Sequence, residues 1–241
     1  MKLQANEYTF DALNDIIRKA DSEHEIEISS CFGERFIGAG LSDKEITING
    51  TPGNALGAYL NGANITVNGN VQDAVGDTMN EGKIVVHGNA GDALGYAARG
   101  GEIYVKGDVG YRAGIHMKQY LDKRPVIVAG GRAGSFLGEY LAGGVIIILG
   151  LTENFRNRPL FGNYAGTGMH GGAIWFRTDV EPTGLPAQVY VQKADDISEI
   201  AQYLKNYAAF FGTDEKLLLE STYYVLRPNA KNPYTKMYAH N

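Results

Sequence analysis

The stretch whose residue types most invite chemistry is Val126-Ile-Val-Ala-Gly-Gly-Arg-Ala-Gly134, because a strand running into clustered glycines can wrap a phosphate. It lacks the full G-x-G-x-x-G spacing, and the next acidic residue is Glu139, much too near for the ribose-binding carboxylate of a dinucleotide site. Similar glycines recur along the chain, and no nucleotide could occupy them all. The histidines His24, His87, His116, His170 and His240 are dispersed, so surface or packing roles fit them better than a shared metal. Asp73, Asp77, Asp92 and Asp108 recur at turn positions, which suits side-chain bonds to turn amides better than acid–base catalysis. Cys31 is the one cysteine, which excludes an internal disulfide framework and a closed cysteine metal site.

The elements that would position these residues repeat. Ile46-Thr-Ile-Asn-Gly50, Ile65-Thr-Val-Asn-Gly69, Ile84-Val-Val-His-Gly88 and Ile103-Tyr-Val-Lys-Gly107 share one pattern at a spacing of nineteen residues. Val126-Ile-Val-Ala-Gly130 and Ile146-Ile-Ile-Leu-Gly150 follow at longer spacing. A second glycine column, Gly57, Gly76, Gly95 and Gly114, runs seven residues behind the first, and Gly138 continues it one residue out of phase. Gly62, Gly82, Gly101 and Gly144 precede each new strand. One such unit cannot bury its apolar face alone, whereas stacked units build a continuous core. The pattern predicts an all-β solenoid, a right-handed parallel β-helix with short N- and C-terminal helices and glycines at its corners. A period near nineteen argues against the hexapeptide acyltransferases, which place three six-residue units in each turn.

Alternation along each strand predicts the facing. Ile46, Ile65, Ile84, Ile103, Val126 and Ile146 point inward with Ile48, Val67, Val86, Val105, Val128 and Ile148. The position between them reads Thr47, Thr66, Val85, Tyr104, Ile127 and Ile147, and Ile174-Trp-Phe-Arg177 extends it to Trp175. This outer column turns from polar to apolar, so Val85, Tyr104, Ile127, Ile147 and Trp175 form a candidate interface. The chain's own C-terminal helix is an equally good cover for it.

The flanks divide into a helix and lead-in over 1–44, the repeats over 45–180, and a helical cap with an extended tail over 181–241. Phe10, Leu13, Ile16 and Ile17 after Thr9 predict a short helix, and Ile26-Glu-Ile28 a strand. Ile197, Ile200, Ala201, Leu204, Tyr207, Ala208 and Phe211 predict a second helix, capped by Asp195 or Asp196 and ended by Gly212. A short helix over Glu215–Leu219 follows, then an extended run from Tyr223 through Pro228 and Pro233 to Tyr238.

Composition bounds the function. The 241 residues carry a net charge of −5 without a basic stripe, which argues against nucleic acid as a partner. Val145 to Leu149, the longest apolar run, is far too short to span a bilayer, and Met1 to Phe10 lack a signal-peptide core. The expected location is the cytoplasm.

Taken as a set, the motifs resemble the GXGXG domain that closes the large subunit of glutamate synthase. The segments that carry the resemblance are Gly91-Asp-Ala-Leu-Gly95, Gly100-Gly-Glu-Ile103, Glu139-Tyr-Leu-Ala-Gly-Gly-Val145 and Gly168-Met-His-Gly-Gly-Ala173. Arg35-Phe-Ile-Gly38 with Leu41-Ser42, and the tail Phe211-Gly-Thr-Asp followed by Val225-Leu-Arg-Pro228, extend it over nearly the whole chain. The β-helix-bearing subunit of formylmethanofuran dehydrogenase is similar too.

The resemblance implies a non-catalytic scaffold that docks amidotransferase and synthase subunits in making glutamate from glutamine and 2-oxoglutarate. FMN and an iron–sulfur cluster are then expected on those partners and no cofactor on this chain. It carries over no catalytic, cofactor-binding or metal residue. An N-terminal cysteine nucleophile is missing, since residue 2 is Lys. A formylmethanofuran dehydrogenase complex, with molybdenum or tungsten partners, or an N-methylglutamate synthase-like complex is the alternative, and a homo-oligomer is the other assembly left open.

Overall fold

The computed structural model describes residues 1–21, 25–152 and 159–229. His24 and His240 lie outside the described residues, as does the predicted extended run from Pro233 to Tyr238. Strands β1 (Lys2–Gln4) and β2 (Ile26–Phe32) flank helix α1 (Phe10–Lys19). Then come β3 (Glu45–Thr51), β4 (Asn61–Asn68), β5 (Glu81–Val86), β6 (Glu102–Val105), β7 (Val126–Ala129), β8 (Ala142–Ile148) and β9 (Gly171–Arg177). The C-terminal part adds β10 (Val189–Lys193), α2 (Ser198–Phe211), α3 (Glu215–Leu219) and β11 (Tyr223–Pro228).

These strands do not make the all-β right-handed parallel β-helix that the repeats predict. They form one open, mixed, mostly parallel sheet of eleven strands, in the order β1-β2-β3-β4-β5-β6-β7-β8-β9-β11-β10, with few helices. Two features account for the difference. Only one segment of each repeat is long enough to make a strand; the second touches its neighbours through single bridges, Val71 to Ala90 to Val109 to Ala133 to Phe161. At the far end β11 inserts antiparallel between β9 and β10, which ends the parallel order.

Register sets which side chains share a face. Ile26, Ile46, Ile65, Ile84 and Ile103 pair in sequence, and so do Ile28, Ile48, Val67, Val86 and Val105. The next step departs from the predicted facing. Ile103 pairs with Ile127 and Tyr104 with Val128, so Ile127 belongs to the inner column and Val128 to the outer one. Ile146 and Ile174 then continue the inner column. All are buried, in a core that also takes Leu13 and Ile17 from α1. Thr9 caps that helix by accepting the Ala12 amide at 3.3 Å.

Gly95 shows what the second glycine column is for. It lies at φ +65° as the third residue of a turn closed by the Tyr96 amide on the Ala93 carbonyl at 3.1 Å. A Cβ there would stand 2.7 Å from Ile127 Cδ1. Gly57, Gly76, Gly114 and Gly138 repeat both features against Ile84, Ile103, Ile146 and Ile174, and Gly50 and Gly150 also have positive φ. The predicted corners at Gly69, Gly88, Gly107 and Gly130 have a different cause. No positive φ marks them; instead a Cβ would collide with Gly50 O, Asn70 Oδ1, Asn89 Oδ1 and Lys106 O respectively.

Cys31 sits buried beside Glu34, its Sγ donating to Oε2 at 3.2 Å. Burial and the Glu34 carboxylate push the thiol up to about 12. The native state therefore keeps a proton that the unfolded chain loses near pH 8.5. Its contribution to stability is complete below that pH and is lost as the pH rises toward 12. Iodoacetamide at pH 8 is expected to leave Cys31 unmodified in the folded chain and to alkylate it fully in denaturant, as read by intact mass. No helix among the described residues is long and apolar enough to cross a membrane.

Candidate docking surface

The outer column begins as Thr47 and Thr66 and continues through Val85, Tyr104, Val128, Ile147 and Trp175. From Val85 onward it is buried, and what covers it is the chain itself. Ile200, Leu204, Tyr207 and Ala208 of α2, Leu218 of α3, and Tyr223 and Val225 of β11 pack on it as a second core. Helical spacing supplies the apolar face, the Asp196 carboxylate accepts the Ser198 amide at 2.9 Å, and Gly212 ends the helix at φ +66°.

Polar groups at this seam are matched except the Trp175 indole N–H, which is buried without a partner among the described residues. The Tyr104 hydroxyl donates to Glu102 at 2.7 Å and accepts from Asn206 at 3.1 Å, and the Tyr207 hydroxyl donates to Lys106 O at 3.1 Å. Burial pushes both hydroxyls well above the usual phenol range, with Glu102 adding to the effect at Tyr104. Glu199 pairs with both Arg124 and Arg227, tying the first turn of α2 to β11 and to the segment before β7. Val85, Tyr104, Ile147 and Trp175 are therefore internal to this chain, and Ile127 lies on the opposite face. The predicted interface column is not available to a partner.

The turns present a different surface. Around Gly57, Gly76, Gly95, Gly114 and Gly138, the residues two before and two after also have positive φ. Early repeats put Ala55, Ala74, Thr78, Ala93 and Ala97 there, with Tyr59 the exception; later ones put Arg112, His116, Phe136 and Tyr140, and Tyr164 stands likewise two before Gly166. A left-handed backbone costs a bulky residue roughly 1–2 kcal/mol more than it costs glycine. None of Arg112, His116, Phe136, Tyr140 and Tyr164 is buried, so what these side chains offer is what they show to solvent.

They form two ring stacks astride an ion pair. Tyr111, Phe136 and Tyr164 follow one another at centroid distances of 5.2 and 4.9 Å. Tyr96, His116 and Tyr140 do so at 6.0 and 5.0 Å, the last pair stacked at 9°. Between them Arg112 Nε meets Glu139 Oε2 at 2.8 Å, with the guanidinium 4.9 Å from the Tyr111 ring centre and 5.3 Å from that of Phe136. Glu139 is 7% exposed, so the pair holds the face in one shape. Sequence periodicity misses this surface. The signal for it is the change from alanine to ring and arginine two residues either side of each turn glycine.

Asp73, Asp77 and Asp92 lie along the same turns, and Asp108 at the corner after β6. Asp73 Oδ1 accepts the Asp92 amide, Asp92 Oδ1 the Tyr111 amide and Asp108 Oδ1 the Arg132 amide, each at 2.8 Å. Asp77 accepts the Thr78 hydroxyl at 2.8 Å. Asp92→Ala is expected to cost about 1 kcal/mol by removing an acceptor, and Asp92→Asn nearly nothing, as read by urea unfolding. His87 lies elsewhere, edge-on to Phe211 at 5.2 Å, and burial followed by the Lys106 charge pushes its pKa down. His170 Nδ1 lies 3.1 Å from Gly168 O. Among the described residues no three of His, Cys, Asp and Glu converge to hold a metal ion.

A family model described as the GXGXG motif matches residues 11–228. The chain belongs to the GXGXG motif family. A protein of Methanocaldococcus jannaschii described as uncharacterized is 41% identical to this GXGXG chain over 234 residues, covering 94% of this chain and 90% of its own length. Among solved structures, the formyltransferase/hydrolase complex of Methylorubrum extorquens, determined with methylofuran, contains a similar chain. The TM-score is 0.59 at 23% identity, over 85% of this GXGXG chain and 73% of that one, a likeness of fold.

Proposed function

We propose that this chain is a scaffold subunit of a multi-subunit enzyme complex, and that its catalytic partners dock on the turn face rather than on the outer strand column. The observation that carries the proposal is the pairing of a self-covered strand face with a solvent-facing ring-and-arginine surface held in left-handed backbone. Membership of the GXGXG family over residues 11–228 supports a shared architectural role. The fold likeness to a chain of a formyltransferase/hydrolase complex favours a one-carbon complex of the formylmethanofuran type. FMN, iron–sulfur, molybdenum or tungsten chemistry then belongs to the partners.

A specific observation keeps glutamate synthase as the second reading. The tail Phe211-Gly-Thr-Asp and Val225-Leu-Arg-Pro228, with Arg35-Phe-Ile-Gly38 ahead of the repeats, resembles the corresponding motifs of its GXGXG domain. Purification of the tagged chain from its native host, with mass spectrometry and an absorption spectrum, separates the two. Stoichiometric formyltransferase- or hydrolase-type subunits support the first reading, and an amidotransferase with a flavin subunit the second. Recovery of the chain without stoichiometric partners would contradict both.

A further inference from the structure

Where the repeats depart from their period, the chain builds a basic cleft. Ile103 pairs with Ile127, five residues beyond the nineteen-residue step that relates Ile84 to Ile103. The extra residues project as the segment 118–125, closed by reciprocal amide bonds between Tyr120 and Lys123 at 3.1 and 3.0 Å. Lys123 Nζ pins it to Glu81 at 2.7 Å, and the Lys118 amide bonds Ala98 O at 2.9 Å. Insertions into a repeat collect on one face, often the face that binds.

Under this segment lies a cleft of about 390 Å³ lined by Ala97, Arg99, His116, Lys118, Gln119 and Tyr120. Three of these side chains can carry positive charge and none is acidic, in a chain whose net charge is −5. Of the nearby carboxylates, Glu139 is engaged by Arg112, Glu81 by Lys123 and Asp77 by the Thr78 hydroxyl, and Asp122, in the same segment, does not line the cleft. Arg99 is exposed, and its guanidinium has no partner among the described residues. The His116 ring is fixed in orientation by Tyr140 on its face and Tyr96 at its edge.

We propose that this cleft is a binding site for an oxyanion, a carboxylate or phosphate group carried by a small molecule. Arg99 supplies the forked contact, because its planar donors match two oxygens of either group. His116 donates from the flank, and the anchored 118–125 segment forms the wall. The site shares His116 with the turn face, and titration of the isolated chain reads anion binding separately from docking.

The test is isothermal titration of the full chain with inorganic phosphate and, separately, with citrate, at constant ionic strength set by KCl. Saturable binding of phosphate, of citrate or of both is expected at millimolar or lower concentration, and whichever binds names the source of the oxyanion. Arg99→Gln is expected to weaken that binding about tenfold, roughly 1.4 kcal/mol, while Lys193→Gln, which removes an equal charge from β10, leaves it unchanged. Circular dichroism melts of both variants establish that they fold. Absence of saturable binding by either anion, or equal weakening by the two substitutions, would overturn the proposal.

Discussion

Gly95→Val is expected to destabilise the chain by about 3 kcal/mol or more, the sum of two penalties at one residue. The backbone there lies at φ +65°, which a β-branched residue tolerates poorly. The added Cβ would stand 2.7 Å from Ile127 Cδ1, and that isoleucine is 1% exposed inside a packed column. Overpacking of this kind costs ~1–3 kcal/mol, and the left-handed backbone adds ~1–2. For a chain of this size the melting temperature should fall by about 6–12 °C. Gly40→Val is the control, because φ there is +71° and a Cβ meets nothing within 4 Å, so it isolates the backbone penalty. A Gly95→Val variant that melts no lower than Gly40→Val would show that the isoleucine column does not confine the turn.

The second large effect is expected at Tyr104. It is fully buried between the sheet and α2, its ring 5.0 Å from Phe210 and its hydroxyl shared by Glu102 and Asn206. Tyr104→Ala should cost about 4 kcal/mol, the range for emptying an aromatic site. It should also loosen α2 selectively, so protease cleavage would appear in 198–211 before the rest of the chain melts. Tyr104→Phe keeps the ring and orphans Asn206 and Glu102, at a cost of about 1–2 kcal/mol. A Tyr104→Ala variant as stable as the native chain, with α2 still protected, would mean that the outer column is not what anchors the helix.

Much of the local structure is legible in residue spacing. The glycine-punctuated repeats mark β3 to β6 because apolar alternation and turn glycines act over a few residues. Thr9 and Gly212 mark the start of α1 and the end of α2 for the same reason. What spacing cannot supply is long-range. The step from Ile103 to Ile127 moves the strand by one position relative to its sequence pattern, and shifting a register by one residue exchanges the two faces. Spacing alone therefore puts Ile127 outside and Val128 inside, the reverse of the structure. The antiparallel insertion of β11 beside β9 depends on pairing across 46 residues, from Arg177 to Tyr223, and it turns the expected β-helix into a mixed open sheet.

The surface is the least legible part. An apolar outer column marks a contact without saying what makes it, and here α2, α3 and β11 do. The positive-φ residues Arg112, His116, Phe136, Tyr140 and Tyr164 carry no propensity signal, because propensity assigns such backbone to glycine and asparagine. Only the stacked turns force it on them, through amides that alternately bond the repeat ahead and the one behind: Ala93 to Tyr111 O, Gly95 to Val75 O and Ala97 to Ile115 O.

The claim that partners meet the turn face while the strand face is closed by the chain itself is tested most directly by hydrogen–deuterium exchange, comparing the isolated chain with its native complex. Amides of 102–105, 145–148 and 173–176 are expected to be protected already in the isolated chain and to change little, while 111–116 and 136–140 gain protection in the complex. New protection confined to the outer strand column, with 111–116 and 136–140 unchanged, would contradict it.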